Sequence, residues 1–129
     1  MLGEYLKEHD FGAHYAKAMN LRPAHVAEYD AALEQCDFLV MPTATHYAYK
    51  AKPDAPISET VLRGWGALNN TAPINASGHP ALSMPAAEAD GLPVGVMVVG
   101  KTFGDADVLR FARIYEKNHP WLPQRAPRP

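Results

Sequence analysis

The sequence predicts an α/β fold in which a mixed β-sheet is flanked by helices, and three observations predict it. Apolar stripes at helical period occupy the first third, the middle and the end of the chain. A short unalternating apolar run, FLVMP (Phe38 to Pro42), has the look of a buried strand. An Asp90-Gly91 pair between strand-like segments marks a hairpin turn. The resulting order is α-α-β-α-β-β-α, which interleaves helices with strands.

Residues 3–35 read as two helical pieces. Tyr5, Leu6, Tyr15, Ala16 and Met19 form one apolar face whose spacing slips across Phe11 and Gly12. Pro23 fits the first turn of the second helix, where its missing N–H costs little. Val26, Tyr29, Ala32 and Leu33 follow at helical spacing. FLVMP, β-rich and closed by proline, reads as a strand buried on both faces. Residues 43–56, rich in Pro, Lys and Tyr, form a long loop. Ser58 caps a third helix that carries Val61, Leu62, Trp65 and Leu68 on one face. Asn69 and Asn70 loosen this helix and Pro73 ends it. APINASGHP (Ala72 to Pro80) has no period and two prolines, so it reads as a structured loop into the strand-like ALSMP (Ala81 to Pro85). Residues 81–100 form the hairpin. Asp105 caps the last helix, which turns Val108, Ala112 and Tyr115 inward, has Lys117 near its end, and stops at Pro120.

Composition narrows the function classes. The 129 residues carry Lys+Arg 12 against Asp+Glu 14, a net charge of -2, with 47% hydrophobic and 20% charged residues. This is the balance of a folded domain, and it offers no basic patch for nucleic acid. The longest apolar run is far below the ~20 residues that span a bilayer. The N-terminal segment, with Glu4, Lys7, Glu8 and Asp10, lacks the apolar core of a signal peptide. The expectation is a cytoplasmic protein without membrane or nucleic-acid partners. The 12 prolines, about twice the usual ~5%, mark loops and a Pro-rich tail over residues 122–129 that reads as a disordered end.

Reactive constellations are sparse. Cys36 is the one cysteine, so no disulfide framework or CxxC knuckle exists, and it reads as a small packed hydrophobe. The six histidines lack ligand spacing; His9 and His14 stand five apart, off one helix face, and no metal or cofactor is expected. Glycines are scattered without a phosphate-binding loop. Among the serines, Ser58 reads as a cap and Ser83 lies in a strand without a GxSxG elbow. Ser77 sits before Gly78 with no evident histidine or lysine partner. The residues supply shape and no catalytic group.

Several segments nevertheless resemble one family in the correct order. DFLVMPT (Asp37 to Thr43), NTAPINASGHPALSMPA (Asn70 to Ala86) and DGLPVGVMVVGKTFGDADVLRFARIYE (Asp90 to Glu116) are similar to the C-terminal part of the amidase signature family. Lys17 to Arg22 and Tyr29 to Leu33 resemble its preceding helix. The second segment carries the pattern T-x-P-x-N-x-x-G-x-P-A-x-S-x-P. The resemblance implies a C-terminal fragment of the amidase-signature fold, with residues 1–121 as that segment of an amidase domain and 122–129 as the tail.

It also implies hydrolysis of a carboxamide to a carboxylic acid and ammonia through an acyl-enzyme. In the family the nucleophilic serine, a second serine, a lysine and a Gly/Ser-rich stretch lie upstream of the resembled region. No Gly-Gly-Ser or Gly-Ser-Ser occurs here and none of the lysines fits a catalytic motif, so the chain alone is expected to be inactive. What carries over is one wall of the acyl pocket, Trp65, Leu68 and Ala72, spaced i, i+3, i+7. Leu68 stands where the glutamine-dependent aminoacyl-tRNA branch places an acid. NTAPINASGHP, with His79, looks closer to amidases of nitrile breakdown, which take small neutral amides. The implied partners are an amide substrate and either the missing N-terminal catalytic portion or a second copy by self-association. The FLVMP strand is expected to find its strand partners only in that missing portion. The alternative is a non-catalytic relic or interaction module that keeps the edge of the fold. Asn75 and Thr71 are expected to tie down the loop backbone, Gly78 to serve a tight turn, and His79 to be either a structural histidine or a substrate contact.

Overall fold

The computed structural model describes residues 2–9 and 12–119. The chain runs α1 (Leu2–His9), α2 (Ala13–Glu34), β1 (Leu39–Pro42), α3 (Ile57–Gly66), α4 (Thr71–Ser77), β2 (Ala81–Ala89), β3 (Leu92–Val99) and α5 (Asp105–Asn118). The Pro-rich tail and the Pro120 stop lie outside the described residues. The α/β architecture is the expected one, but the sheet expected to be mixed is antiparallel throughout the described residues, in the order β1-β3-β2.

The helical break falls at Gly12, not at Pro23. Gly12 holds φ +74° and begins α2, a conformation glycine adopts without a Cβ clash. Pro23 therefore stands in the middle of a 22-residue helix, where it removes the N–H that would have bonded Met19. Two side chains beside it tie this turn to α4: Arg22 Nε donates to the Ala76 carbonyl at 2.7 Å and His25 Nε2 to that of Pro73 at 2.9 Å. The face expected from Tyr5, Tyr15, Ala16 and Met19 is exposed. The stripe further on does go inward: Val26, Tyr29 and Ala32 are half-buried and Leu33 is buried.

β3 is the strand buried on both faces. Val99, Val98 and Met97 are 0%, 1% and 3% exposed, and fully burying each such side chain stabilises by about 1.5–3 kcal/mol. On one face Met97 and Val99 pack with Ile74, Tyr29, Leu39 and Met41 under α2 and α4. On the other, Val98 packs with Met84, Ala112, Phe38, Phe111 and Tyr115 under α5. β1, expected to be buried on both faces and to lack partners here, instead pairs with β3 from Leu39↔Val99 to Pro42↔Val96 and alternates, with Val40 59% exposed. The hairpin is as expected. Asp90 and Gly91 hold φ +53° and +75°, which suits a primed two-residue turn, and a bulge at Pro85–Ala87 bends β2.

Three local expectations change. Ser58 does not cap α3; Pro56 occupies the N-cap position and Ser58 falls in the first turn. APINASGHP is not a loop: residues 71–77 form α4, in which Pro73 sits in the first turn, where its missing donor is unneeded. Gly78 at φ +83° closes α4 by donating its N–H to Ile74, the tight turn expected of it. Asp105 opens α5 but Gly104 is its N-cap; Asp105 and Asp107 face the positive end of the helix dipole. Val108 and Ala112 are buried and Tyr115 half-buried, as the spacing predicts.

Gly100 and Gly64 should respond oppositely to the same change. A Cβ on Gly100 would stand 2.5 Å from Val108 Cγ2, whereas one on Gly64 of α3 meets nothing within 4 Å. Gly100→Ala should lower unfolding stability by about 1–3 kcal/mol, and Gly64→Ala should raise it by about 0.5–1 kcal/mol, both read from urea midpoints.

Candidate functional site

The loop over residues 43–56, the α3–α4 turn and the start of β3 enclose the candidate site. Thr43 continues the β1 pairing by donating its N–H to Gly95 at 3.0 Å. Because side chains alternate along strands, Thr43, Gly95 and Ser83 share the sheet face that also carries Met41 and Met97. Gly95 has no side chain, so the Thr43 and Ser83 hydroxyls meet over the central strand at 2.6 Å. A Cβ at 95 would lie 3.0 Å from both oxygens. The turn after α3 is fastened to this corner. Asn70 Nδ2 donates to the Pro42 carbonyl at 2.7 Å, and Thr45 Oγ1 reaches the Gly66 carbonyl at 3.4 Å.

The loop itself is held by a stack. His46 lies on Tyr49 with ring centroids 4.2 Å apart, and the Arg63 guanidinium sits 5.1 Å from the Tyr49 centroid. Arg63 also donates to Glu59 at 2.6 Å and to the Lys50 carbonyl at 3.2 Å, while Lys52 reaches Glu59 at 3.1 Å. The Lys52 hydrogen bond and charge, joined by Arg63, hold the Glu59 carboxyl below its ordinary range. His46 Nδ1 donates to the Tyr47 carbonyl, which leaves Nε2 buried without a partner against Gly66, where a Cβ would be 3.1 Å away. Beside this ring is a cavity of about 560 Å³ lined by Pro42, Ala44, His46, Ala48, Ala67, Pro93 and Gly95 among others.

None of Trp65, Leu68 and Ala72 lines this cavity; Ala67 is the one residue of the α3–α4 turn that does. The three do not share one helix. Trp65 lies in the last turn of α3, Leu68 in the turn that follows and Ala72 in the first turn of α4. A backbone relay still keeps them in register: Leu68 N–H donates to Trp65 at 3.0 Å and Ala72 N–H to Leu68 at 2.8 Å. All three are exposed, Trp65 by 61% and Leu68 by 53%. α3 has its polar side, Glu59 and Arg63, against the loop and its apolar side, Ile57, Val61 and Trp65, toward solvent, and none of its residues is buried.

Ser77 does have a histidine partner, which the sequence pattern concealed. His79 Nδ1 lies 3.0 Å from Ser77 Oγ, and His79 Nε2 lies 3.2 Å from Asp30 Oδ1, 49 residues away. A carboxylate only accepts, so the Nε2 proton serves Asp30. Ser77 and His79 are 6% and 5% exposed, and Ser77 Oγ also lies 3.0 Å from the Ile74 carbonyl, to which it donates. A hydroxyl so enclosed cannot reach a substrate carbonyl; the group fastens α2 to the α4–β2 junction. Thr71 does bond local backbone, at Leu68, but Asn75 is exposed and makes no hydrogen bond among the described residues, and Asn70 does the tying instead. Cys36, expected to pack inside, is exposed with Sγ near the Ala32 carbonyl. Among the described residues no group of three His, Cys, Asp or Glu could hold a metal ion, and no helix is long and apolar enough to cross a membrane.

The three-stranded antiparallel corner, with α2 and α4 on one face and α5 on the other, is a piece of the amidase-signature fold. It matches a glutamyl-tRNA(Gln) amidotransferase component of Thermotoga maritima with TM-score 0.69 and 33% identity, covering 94% of this chain and 26% of that one. It matches a bacterial aryl acylamidase of the amidase signature family with TM-score 0.67 and 27% identity, over 83% and 23%. The Amidase family model matches residues 1–109, and the chain belongs to that family. It is 44% identical over 91% of its length to an uncharacterized protein of the nthA 5′ region of Rhodococcus erythropolis, of which it spans 59%. An enantioselective amidase of Rhodococcus rhodochrous is 39% identical over 98% of the chain, which spans 25% of that enzyme.

Two predictions test the site's construction. Thr43→Val and Ser83→Ala should each cost about 0.5–1 kcal/mol by removing an exposed hydrogen bond that water partly replaces, and the double variant should cost less than their sum in urea unfolding. A depressed carboxyl pKa contributes stability above the ordinary carboxylate range and loses it as pH falls through the folded value. Acidification should therefore lower the amide protection factors, taken relative to the intrinsic exchange rate at each pH, over residues 50–60, and Glu59→Gln should abolish that loss of protection.

Proposed function

We propose that the chain forms scaffold and acyl-pocket wall of an enzyme that hydrolyses a small neutral carboxamide to a carboxylic acid and ammonia. The observation that carries this reading is the outward apolar side of α3 and its turn. Trp65, Leu68 and Ala72 are kept in one hydrogen-bonded register and are exposed. Such a wall holds an acyl group by contact and excludes water from it. The nucleophile and its activating groups come from another stretch of polypeptide, and the acyl-enzyme forms there.

The free edge of β1 fits that division. Thr43 and Gly95 are a hydrogen-bonded pair, so by alternation Val40 points its N–H and C=O away from β3. The Pro42 carbonyl on the same edge is taken by Asn70, which leaves Val40 to pair with an added strand. Leu68, in place of the acid associated with the glutamine-dependent branch, favours a neutral amide. An enantioselective amidase at 39% and a glutamyl-tRNA(Gln) amidotransferase subunit of Symbiobacterium thermophilum at 38% are similar to the chain to the same degree, so the neutral-amide reading rests on Leu68.

The purified chain should release no ammonia from propionamide or benzamide. Exchanged for the matching quarter of the Rhodococcus rhodochrous enzyme, it should support turnover. In that chimera Trp65→Ala should raise KM for benzamide more than for propionamide, by about tenfold or more for the loss of a large aromatic contact. Ammonia release by the chain alone, or selectivity indifferent to Trp65, Leu68 and Ala72, would count against the proposal.

A further inference from the structure

The wall on α3 and its turn has no buried residue of its own. From Ile57 onward the first buried side chain is Ile74 of α4, followed by Ser77 at its end. Wall and α4 are joined through the backbone, since the Ala72 and Thr71 N–H groups both donate to the Leu68 carbonyl, at 2.8 and 3.1 Å. Asn70 pins the turn at one point, to the Pro42 carbonyl. The setting of α4 then decides where Leu68 and Ala72 stand. A helix of 7 residues cannot hold itself, so that setting comes from the element it packs against, which is α2.

α2 grips α4 along its whole length. His25 Nε2 donates to the Pro73 carbonyl at 2.9 Å, one residue beyond Ala72. Arg22 Nε donates to the Ala76 carbonyl at 2.7 Å, one turn further on. His79, one residue past the Gly78 cap, lies with Nε2 3.2 Å from Asp30 Oδ1. Tyr29 fills the space between: its ring meets His25 edge-on at 5.1 Å and His79 at 5.5 Å, and it packs on the cluster that contains Ile74. The three rings form a ladder from the start of α4 to beyond its end. An imidazole held edge-on to a tyrosine has little rotational freedom left, so His25 fixes a distance where a flexible donor would only tether. The grip is complete within this chain and needs nothing from outside it.

We propose that His25, with Arg22 beside it, is a positioning residue of the acyl pocket. Through the Pro73 and Ala76 carbonyls the pair holds α4 at the setting that places Leu68 and Ala72 in the wall, and so it shapes the choice between large and small acyl groups. The inference rests on the acyl-pocket reading and adds α2 to it.

The benzamide-to-propionamide ratio of kcat/KM in the Rhodococcus rhodochrous chimera tests this. A variant that merely unfolds part of the enzyme lowers both rates alike and leaves the ratio unmoved. His25→Leu should change the ratio by about fivefold or more. His25→Gln, which keeps a donor at the same reach, should retain the unaltered ratio, and Arg22→Met should move it in the same direction as His25→Leu. In the purified chain, His25→Leu should lower the amide protection of Leu68 and Ala72, taken relative to the intrinsic exchange rate, while Val98 and Val99 keep theirs. A ratio moved by Trp65→Ala but by neither His25→Leu nor Arg22→Met overturns this inference and leaves the wall standing. A His25→Gln ratio shifted as far as that of His25→Leu overturns it as well. A ratio indifferent to all these changes removes the wall and this inference together.

Discussion

Everything in this structure is built on β3. It is the only described strand with a partner on each side and the only one buried on both faces, and its last three residues are almost wholly removed from water. α2 and α4 approach it from one face and α5 from the other through the two apolar clusters. The hydroxyl bridge of the site depends on it as well, because Thr43 and Ser83 can meet only across a position of β3 that has no side chain. The same strand therefore supplies cohesion at its C-terminal end and an opening at its N-terminal end, where Pro93, Val94 and Gly95 border the cavity.

How much of this is legible in the sequence follows from what each signal measures. Local turn chemistry is reliable: Asp90-Gly91, Gly78 and the α5 stripe behave as their residue types dictate. The apolar run FLVMP reads as doubly buried because an unbroken run does not reveal whether neighbours exist on both faces; Val40 shows that here they do not. Proline misleads twice for one reason. Its intolerance of helix interiors argues for a helix break just before Pro23 and a helix end at Pro73, yet the first is tolerated where α4 bonds the adjacent turn and the second sits where no donor is missed. Trp65, Leu68 and Ala72 have the spacing of one helix, and they keep it across a helix break only because two backbone hydrogen bonds carry it over.

The polar groupings are hidden for a different reason. Ser77 and His79 are two residues apart, but their third member, Asp30, lies on another helix. Thr43 and Ser83 are 40 residues apart. Pairings of that range become visible only with strand register known, and the hints in the sequence are modest: a threonine closing an apolar strand, a serine interrupting another, and a glycine inside the most apolar run. With the register in hand, each has a physical role that needs no catalysis, which agrees with a chain whose polar side chains mostly bind its own parts together.

Among the apolar residues turned toward water, the α3 side and Phe103 differ in kind. The α3 side is unstrained helix whose polar half is anchored by Glu59, Arg63 and Lys52, so its orientation is fixed from behind and its outward residues are free to form a wall. Phe103 is strained and is anchored by nothing but its turn. A wall gains from breadth and tolerates variation in any one side chain. Breadth is thus what the proposed acyl-pocket wall asks of the α3 side.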